Sequence, residues 1–242
     1  MLLNESTTLY SPRLVLRPYR RWHVPQYHEW MEDPKIREQT ASERLSFEEE
    51  LEMQSSWSLD EDKLTFIVHL RDPSAPSPET DRTGFLSAHN DSRTMLGDVN
   101  LFLHSSSSSF EDDAEDGDNP EEEKMTAELE IMLPPSSKNY KPRTGLALET
   151  LQLFLSYSSR HLDLKPRQFI AKVGFDNEAS LRLFEKMGFV EKKRVEIFRE
   201  IELDWGGGRG GEEGGEHMWS WEKDMEGWKM GILEDPRDSE RD

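Results

Sequence analysis

This 242-residue sequence predicts an α+β, or mixed α/β, fold: a mostly antiparallel sheet with helices on both faces. Two observations predict it. The first half carries short apolar-rich segments separated by long polar loops, the pattern of antiparallel hairpins. The second half changes to a strong amphipathic helix, a short apolar strand, a second helix and further strands.

Arg13-Leu14-Val15-Leu16-Arg17-Pro18 alternates polar and apolar residues, a first strand ended by proline. Val24, Tyr27, Trp30 and Met31 mark one helical face, and Pro34 is expected to close that helix. Ser46-Phe47-Glu48-Glu49 is a capping box, in which Ser46 and Glu49 satisfy free backbone amides reciprocally, and Leu51, Met53 and Trp57 continue its helix. Strands are expected at Leu64–Leu70, Met95–Leu103 and Thr126–Leu133. Arg71–Arg93, rich in Pro, Ser and Asp, is read as an enlarged hairpin loop. Gly145–Arg160 is a helix with Leu148, Leu151, Phe154 and Leu155 on one side. Phe169–Val173 is a strand. Asn177 then caps a helix whose buried face is Leu181, Phe184 and Met187, and Gly188 sits where a left-handed C-cap is wanted. Two strands are expected within Gly188–Leu203.

Charge is unevenly spread. Ser105–Glu123 holds nine acidic residues and no basic one, and Asp204–Asp242 twelve acidic against five basic, so these stretches carry most of the net charge of −20. The expected organisation is one domain over residues 1–203 with loop insertions at 71–93 and 105–124. Residues 204–242 form an acidic, glycine-rich linker and flexible tail containing Trp219, Trp221 and Trp228. The acidic balance argues against a nucleic-acid partner; the acidic stretches either attract basic peptides or simply keep the chain soluble. There is no cysteine, so neither a disulfide framework nor a thiol nucleophile exists. No apolar run approaches the roughly 20 residues of a membrane span, and the start lacks a basic segment followed by an apolar one. A soluble cytoplasmic protein is expected, with the nucleus left open. His23 and His28 are badly spaced for one helix face and His104 stands alone, so no metal site is read.

The Phe169–Phe189 strand–helix unit, ending in Gly188-Phe189, resembles the second half of a GNAT N-acetyltransferase domain. Arg13–Pro18 resembles the opening of the GNAT branch that includes ribosomal-protein N-terminal acetylases. His23–Met31, Thr40-Ala41-Ser42-Glu43, Met53–Trp57, Thr65–Val68 and Gly97–Leu103 are similar to the N-acetyltransferase 9-like group. The resemblance covers roughly residues 1–70, 95–104 and 125–203, outside both insertions and the tail.

The resemblance implies a co-substrate, acetyl-CoA, and a protein or peptide acceptor. In the family a loop opening the central helix binds the pyrophosphate through backbone amides, as helix N-termini do. The matching stretch is Pro142-Arg143-Thr144-Gly145-Leu146-Ala147. Gly145 and Ala147 fit, whereas Pro142 stands where a basic or amide side chain is usual and has no amide hydrogen; Lys141 or Arg143 would supply the charge. The alternative is close helix packing alone. By the same similarity, the backbone at Met132 and Leu133 holds the pantetheine and thioester, and Asn177 is both cap and pantetheine partner. Phe184 replaces a common tyrosine and so lacks a hydroxyl to protonate the departing thiolate.

Along Thr126–Leu133, Ala127, Leu129 and Ile131 face one way and Glu128, Glu130 and Met132 the other. By the same similarity Glu128 and Glu130 are the carboxylates nearest the reaction and so the candidate general bases, the alternative being ion-pair partners at a strand end. Asp98 and Asn100 share a face. With Thr40 and Glu43 they either line a groove for a cationic amine or form a polar outer surface. The expected activity is acetyl transfer to a primary amine, an N-terminal α-amine slightly favoured over lysine. The rival reading, fed by Pro142, Phe184 and the insertions, is a GNAT scaffold with little or no turnover that binds a partner. Oligomeric state is left open.

Overall fold

The computed structural model describes residues 1–106, 124–137, 141–206, 219 and 231–234. Nine described strands form one sheet: β1 (Thr7–Tyr10), β2 (Leu14–Pro18), β3 (Lys63–Leu70), β4 (Met95–Ser106), β5 (Lys124–Met132), β6 (Phe169–Gly174), β7 (Phe189–Val195), β8 (Glu200–Trp205) and β9 (Gly231–Glu234). Their order is β7-β8-β6-β5-β4-β3-β2-β1-β9. All neighbours pair antiparallel except β5 and β6, which run parallel.

Six described α-helices pack on the sheet. On one face lie α1 (Val24–Met31), α2 (Pro34–Gln39) and α3 (Phe47–Leu59), enclosing Tyr19, Tyr27, Trp30, Ile67 and Met132. On the other lie α5 (Leu146–His161) and α6 (Glu178–Met187), packed over Leu16, Phe66, Val99, Leu129, Phe169 and Ala171. Leu151, Phe154 and Leu155 of α5 are fully buried there, each contributing about 1.5–3 kcal/mol of apolar burial. The short α4 (Arg82–Ala88) seats Phe85 and Leu86 against Tyr10 and Val15 at the β1–β2 edge.

The capping signals act as read. Ser46 Oγ accepts from Glu49 N at 3.3 Å and Glu49 Oε2 from Ser46 N at 2.8 Å. Asn177 Oδ1 accepts from Ser180 N at 3.2 Å, and Gly188 ends α6 at φ +97°.

Several expectations change. Pro34 ends α1 but also opens α2 as its first residue, with Asp33 as cap accepting from Lys35 N at 2.9 Å. The 71–93 connection contains α4, capped by Asp81 through Gly84 N at 2.9 Å, rather than being loop throughout. β1 precedes the strand read as first. Three pieces of the 204–242 stretch are seated on the domain: Asp204 and Trp205 finish β8, β9 pairs with β1, and Trp219 is fully buried. Trp219 packs edge-on against Phe169 and Trp205, and its Nε1 donates to Ser159 Oγ at 3.1 Å. Trp221, Trp228 and the acidic core of the 105–124 insertion lie outside the described residues. No described helix is long and apolar enough to cross a membrane.

Candidate active site

The sheet forks between β5 and β6. Their parallel pairing is limited to Ala127 with Phe169 and Glu128 with Ile170. Beyond Glu128, β5 stays on β4 through Met132 while β6 follows β8 through Gly174. The β6-facing backbone edge of β5 therefore has no strand neighbour over its last residues, and its amide groups need partners from elsewhere. Gly97 fixes the other side of this strand end. A Cβ there would lie 1.8 Å from the carbonyl oxygen of Met132, so only glycine lets β4 approach so closely.

The loop into α5 is held from below. Arg13 donates to the carbonyl of Thr144 at 2.8 Å and pairs with the buried Glu149, which also accepts from Ser11 Oγ at 2.7 Å. Gly145 caps the helix at φ +81° and offers no side-chain cap, so among the described residues no cap side chain takes up the first-turn amides of α5. Its Cβ position is open, with one ordinary contact at 3.6 Å to Arg13; conformation, not space, calls for glycine. Lys141, Arg143 and Thr144 are exposed beside this end, Leu146 is buried and Ala147 half-buried.

On the α1–α3 face, strand register brings carboxylates together. Asn100 pairs with Glu130 and Asp98 with Met132, so these four share one face beside Glu128. The two candidate bases then part ways. Glu128 is bound in ion pairs, 2.6 Å from Lys172 Nζ and 3.1 Å from His104 Nε2. Glu130 makes no such pair among the described residues. Burial first, and then the charges of Asp98 and Glu128, push its carboxyl up to about 7, with Lys172 opposing. Asp98 is buried and pushed up to about 6 by desolvation, against hydrogen bonds from Asn100 Nδ2 at 3.0 Å and Tyr27 Oη at 3.3 Å.

The other expected residues sort as follows. Met132 is buried under α1 and α2, and Leu133 packs toward the α5 side. Asn177 makes its capping bond. Phe184 is buried against Phe189, ring centroids 5.3 Å apart. Thr40 bonds within its own turn, to Ile36 O at 3.0 Å and Ser42 Oγ at 2.9 Å, and Glu43 is exposed on the α2–α3 connection. Those two do not join Asp98 and Asn100, which are buried beneath α1 and therefore are not a polar outer surface either. Sequence reasoning missed Tyr27 as a hydroxyl donor, Lys172 and His104 as the partners of Glu128, and Arg13 as the loop anchor. Each depends on pairing across distant segments, for which the sequence carries no local signal. Among the described residues no group of three or more His, Asp or Glu is placed to hold a metal ion.

A family model described as acetyltransferase (GNAT) domain matches residues 13–190. The chain belongs to the GNAT acetyltransferase family. The alpha/beta-tubulin-N-acetyltransferase 9 of Drosophila melanogaster is 41% identical over 204 residues, spanning 84% of this chain and 88% of that protein. The N-acetyltransferase 9-like protein of Dictyostelium discoideum is 37% identical over 209 residues, spanning 86% and 89%. Among solved structures, spermidine N-acetyltransferase from Vibrio cholerae in complex with CoA and spermine superposes with a TM-score of 0.53 at 20% identity, covering 78% of this chain and 92% of that one. That last likeness is one of GNAT fold. The family and its named members make this chain an acetyl-transferring enzyme, an N-acetyltransferase, rather than a bare scaffold.

Proposed function

We propose that this GNAT enzyme transfers acetyl from acetyl-CoA to a primary amine of a protein or peptide, an N-terminal α-amine ahead of lysine. The observation that carries the reading is Glu130, a carboxyl titrating near neutrality at the mouth of the β5–β6 fork. The co-substrate fits the residues around it. The uncapped start of α5, with Lys141 and Arg143 beside it, suits a pyrophosphate, and the unpaired edge of β5 near Met132 and Leu133 suits an amide-bearing arm. Bound there, acetyl-CoA supplies a thioester carbonyl open to attack by an amine.

The chain's own part is positioning and proton removal. Above pH 7 Glu130 is mostly ionised and takes the amine's proton, directly or through water. Glu128, tied to Lys172 and His104, serves as a neighbouring charge that keeps Glu130 basic. Backbone amides at the end of β5 offset the charge developing on the carbonyl oxygen. Asn177 lies at the α6 start, where it would meet the pantetheine arm. Buried Phe184 donates no proton, so the thiolate leaves to solvent. An α-amine, at a reference pKa of about 7.7–8.0 against about 10.4 for lysine, loses its proton at roughly 3–4 kcal/mol less cost. A single carboxylate base is therefore better matched to an α-amine. The tubulin enzymes among the relatives direct the choice of acceptor to α- or β-tubulin, in keeping with the expected cytoplasmic location.

Calorimetric titration with acetyl-CoA tests the co-substrate arm. Saturable binding, weakened at least tenfold by Arg143→Ala and by Gly145→Trp, is expected. A folded protein that binds nothing up to millimolar acetyl-CoA contradicts the proposal.

A further inference from the structure

A cleft of about 210 Å³ opens between α1, the α2–α3 connection and α3, lined by Tyr27, Met31, Glu43, Glu50, Met53 and Trp57 among others. Its chemistry is of two kinds. Met31, Met53 and Trp57 give apolar, adaptable walls suited to a methylene stem. Glu50 and Glu43 give two carboxylates, one deep and one at the rim: Glu50 is 1% exposed, whereas Glu43 is open to solvent.

Glu50 is the telling residue. Its Oε2 accepts no hydrogen bond, although it stands 3.0 Å from Nδ1 of His28, off the line such a bond needs. His28 is its ion-pair partner when that ring is protonated, but a buried carboxylate facing a misaligned imidazole is incompletely satisfied, and a cationic N–H donor entering the cleft would add the aligned bond it lacks. The cleft is also joined to the reacting end of the fork. Tyr27 forms part of its wall and donates to Asp98, the buried neighbour of Glu130.

We propose that this cleft is a specificity subsite that takes a lysine or arginine side chain of the acceptor peptide, close to the amine that is acetylated. The long aliphatic stem lies against Met31, Met53 and Trp57, and the cationic head reaches Glu50 with Glu43 adding charge at the entrance. A free polyamine shares the cationic chemistry. It is the poorer occupant, because its second and third charges would lie against the apolar walls. The subsite rests on the fork being the acetyl-transfer site, and its test is chosen to separate the two.

Alanine-based peptides with a single lysine moved through positions one to four, and an all-alanine control, are titrated into the acetyl-CoA-loaded protein and also assayed for turnover. Spermidine is the free-amine probe. One lysine position is expected to bind at least tenfold more tightly than the control. Glu50→Gln should remove that preference and Glu43→Gln, on the exposed rim, should reduce it about threefold without moving the melting temperature. Equal binding of all peptides, a preference that survives both substitutions, or spermidine binding tighter than every peptide overturns the subsite. A lysine preference lost in Glu50→Gln while no amine is acetylated upholds the subsite and removes the acetyl-transfer reading instead.

Discussion

Replacing Glu130 by glutamine removes the carboxylate of the fork pushed highest, to about 7 against about 6 for Asp98, while keeping its shape. With a carboxyl at about 7, roughly one-tenth of Glu130 is ionised at pH 6 and nine-tenths at pH 8. Ionisation of Glu130 should therefore contribute about a tenfold climb in wild-type kcat/KM across that interval, on which the acceptor amine, with its own pKa of about 7.7–8.0, superimposes its limb. Loss of a positioned base costs roughly 10²–10⁴ in rate, and Glu130→Gln should fall in that range. Its profile should keep only the limb that belongs to the acceptor. The variant should also fold. A carboxyl whose pKa is raised on folding stabilises the native state below its unfolded pKa, and that contribution is lost as pH rises from about 4.5 to about 7. Removing the charge is thus neutral or favourable to stability at pH 8. The assay is initial rates with an α-amine peptide from pH 6 to 9, with melting curves beside them. A Glu130→Gln profile that superimposes on wild type refutes the assignment.

Two further predictions concern the scaffold. Arg20 N donates to His23 Nδ1 at 2.9 Å, His23 and His69 share a contact between their Nε2 atoms at 3.2 Å, and His69 Nδ1 reaches Thr94 Oγ1 at 2.9 Å, whose hydroxyl donates to Asp91 O. This chain assigns both imidazoles as neutral, and burial, with Arg17 nearby, holds both well below the ordinary histidine value. The folded state then binds fewer protons than the unfolded chain, so this pair's stabilisation is present above about pH 6.5 and lost as pH falls below it. Histidine NMR of the folded protein should show both rings neutral at pH 5.5; titration near 6.5 without unfolding contradicts the arrangement. Trp219→Ala should cost about 3–5 kcal/mol in denaturant unfolding, as expected for a fully buried indole. A loss under 1 kcal/mol means that the tail is not held by this residue.

The parts of the fold legible in the sequence are those set by local chemistry. Ser46 with Glu49, Asn177 and Gly188 announce helix ends because their side chains, or the lack of one, act on amides within the same turn. Alternation along 126–133 placed Glu128, Glu130 and Met132 on one face for the same reason. α4 escaped because seven residues give too short a period to stand out among Pro, Ser and Asp. β9 escaped because its four residues become a strand only by pairing with β1. At the site, the sequence offered Glu128 and Glu130 as equals. They are separated by Lys172, some forty residues away on a strand whose register no local pattern specifies. Thr40 and Glu43 were grouped with Asp98 and Asn100 by charge, but the buried Tyr27 stands between the cleft that Glu43 lines and the Asp98 carboxylate.

The most direct test of acetyl transfer to a protein amine is mass spectrometry of α- and β-tubulin incubated with this enzyme and acetyl-CoA, mapped to the modified nitrogen. One acetyl group is expected on an N-terminal α-amine, formed faster at pH 8 than at pH 6 and suppressed by Glu130→Gln. No acetylated product on tubulin or on α-amine peptides, or product confined to lysine side chains and indifferent to Glu130, contradicts it.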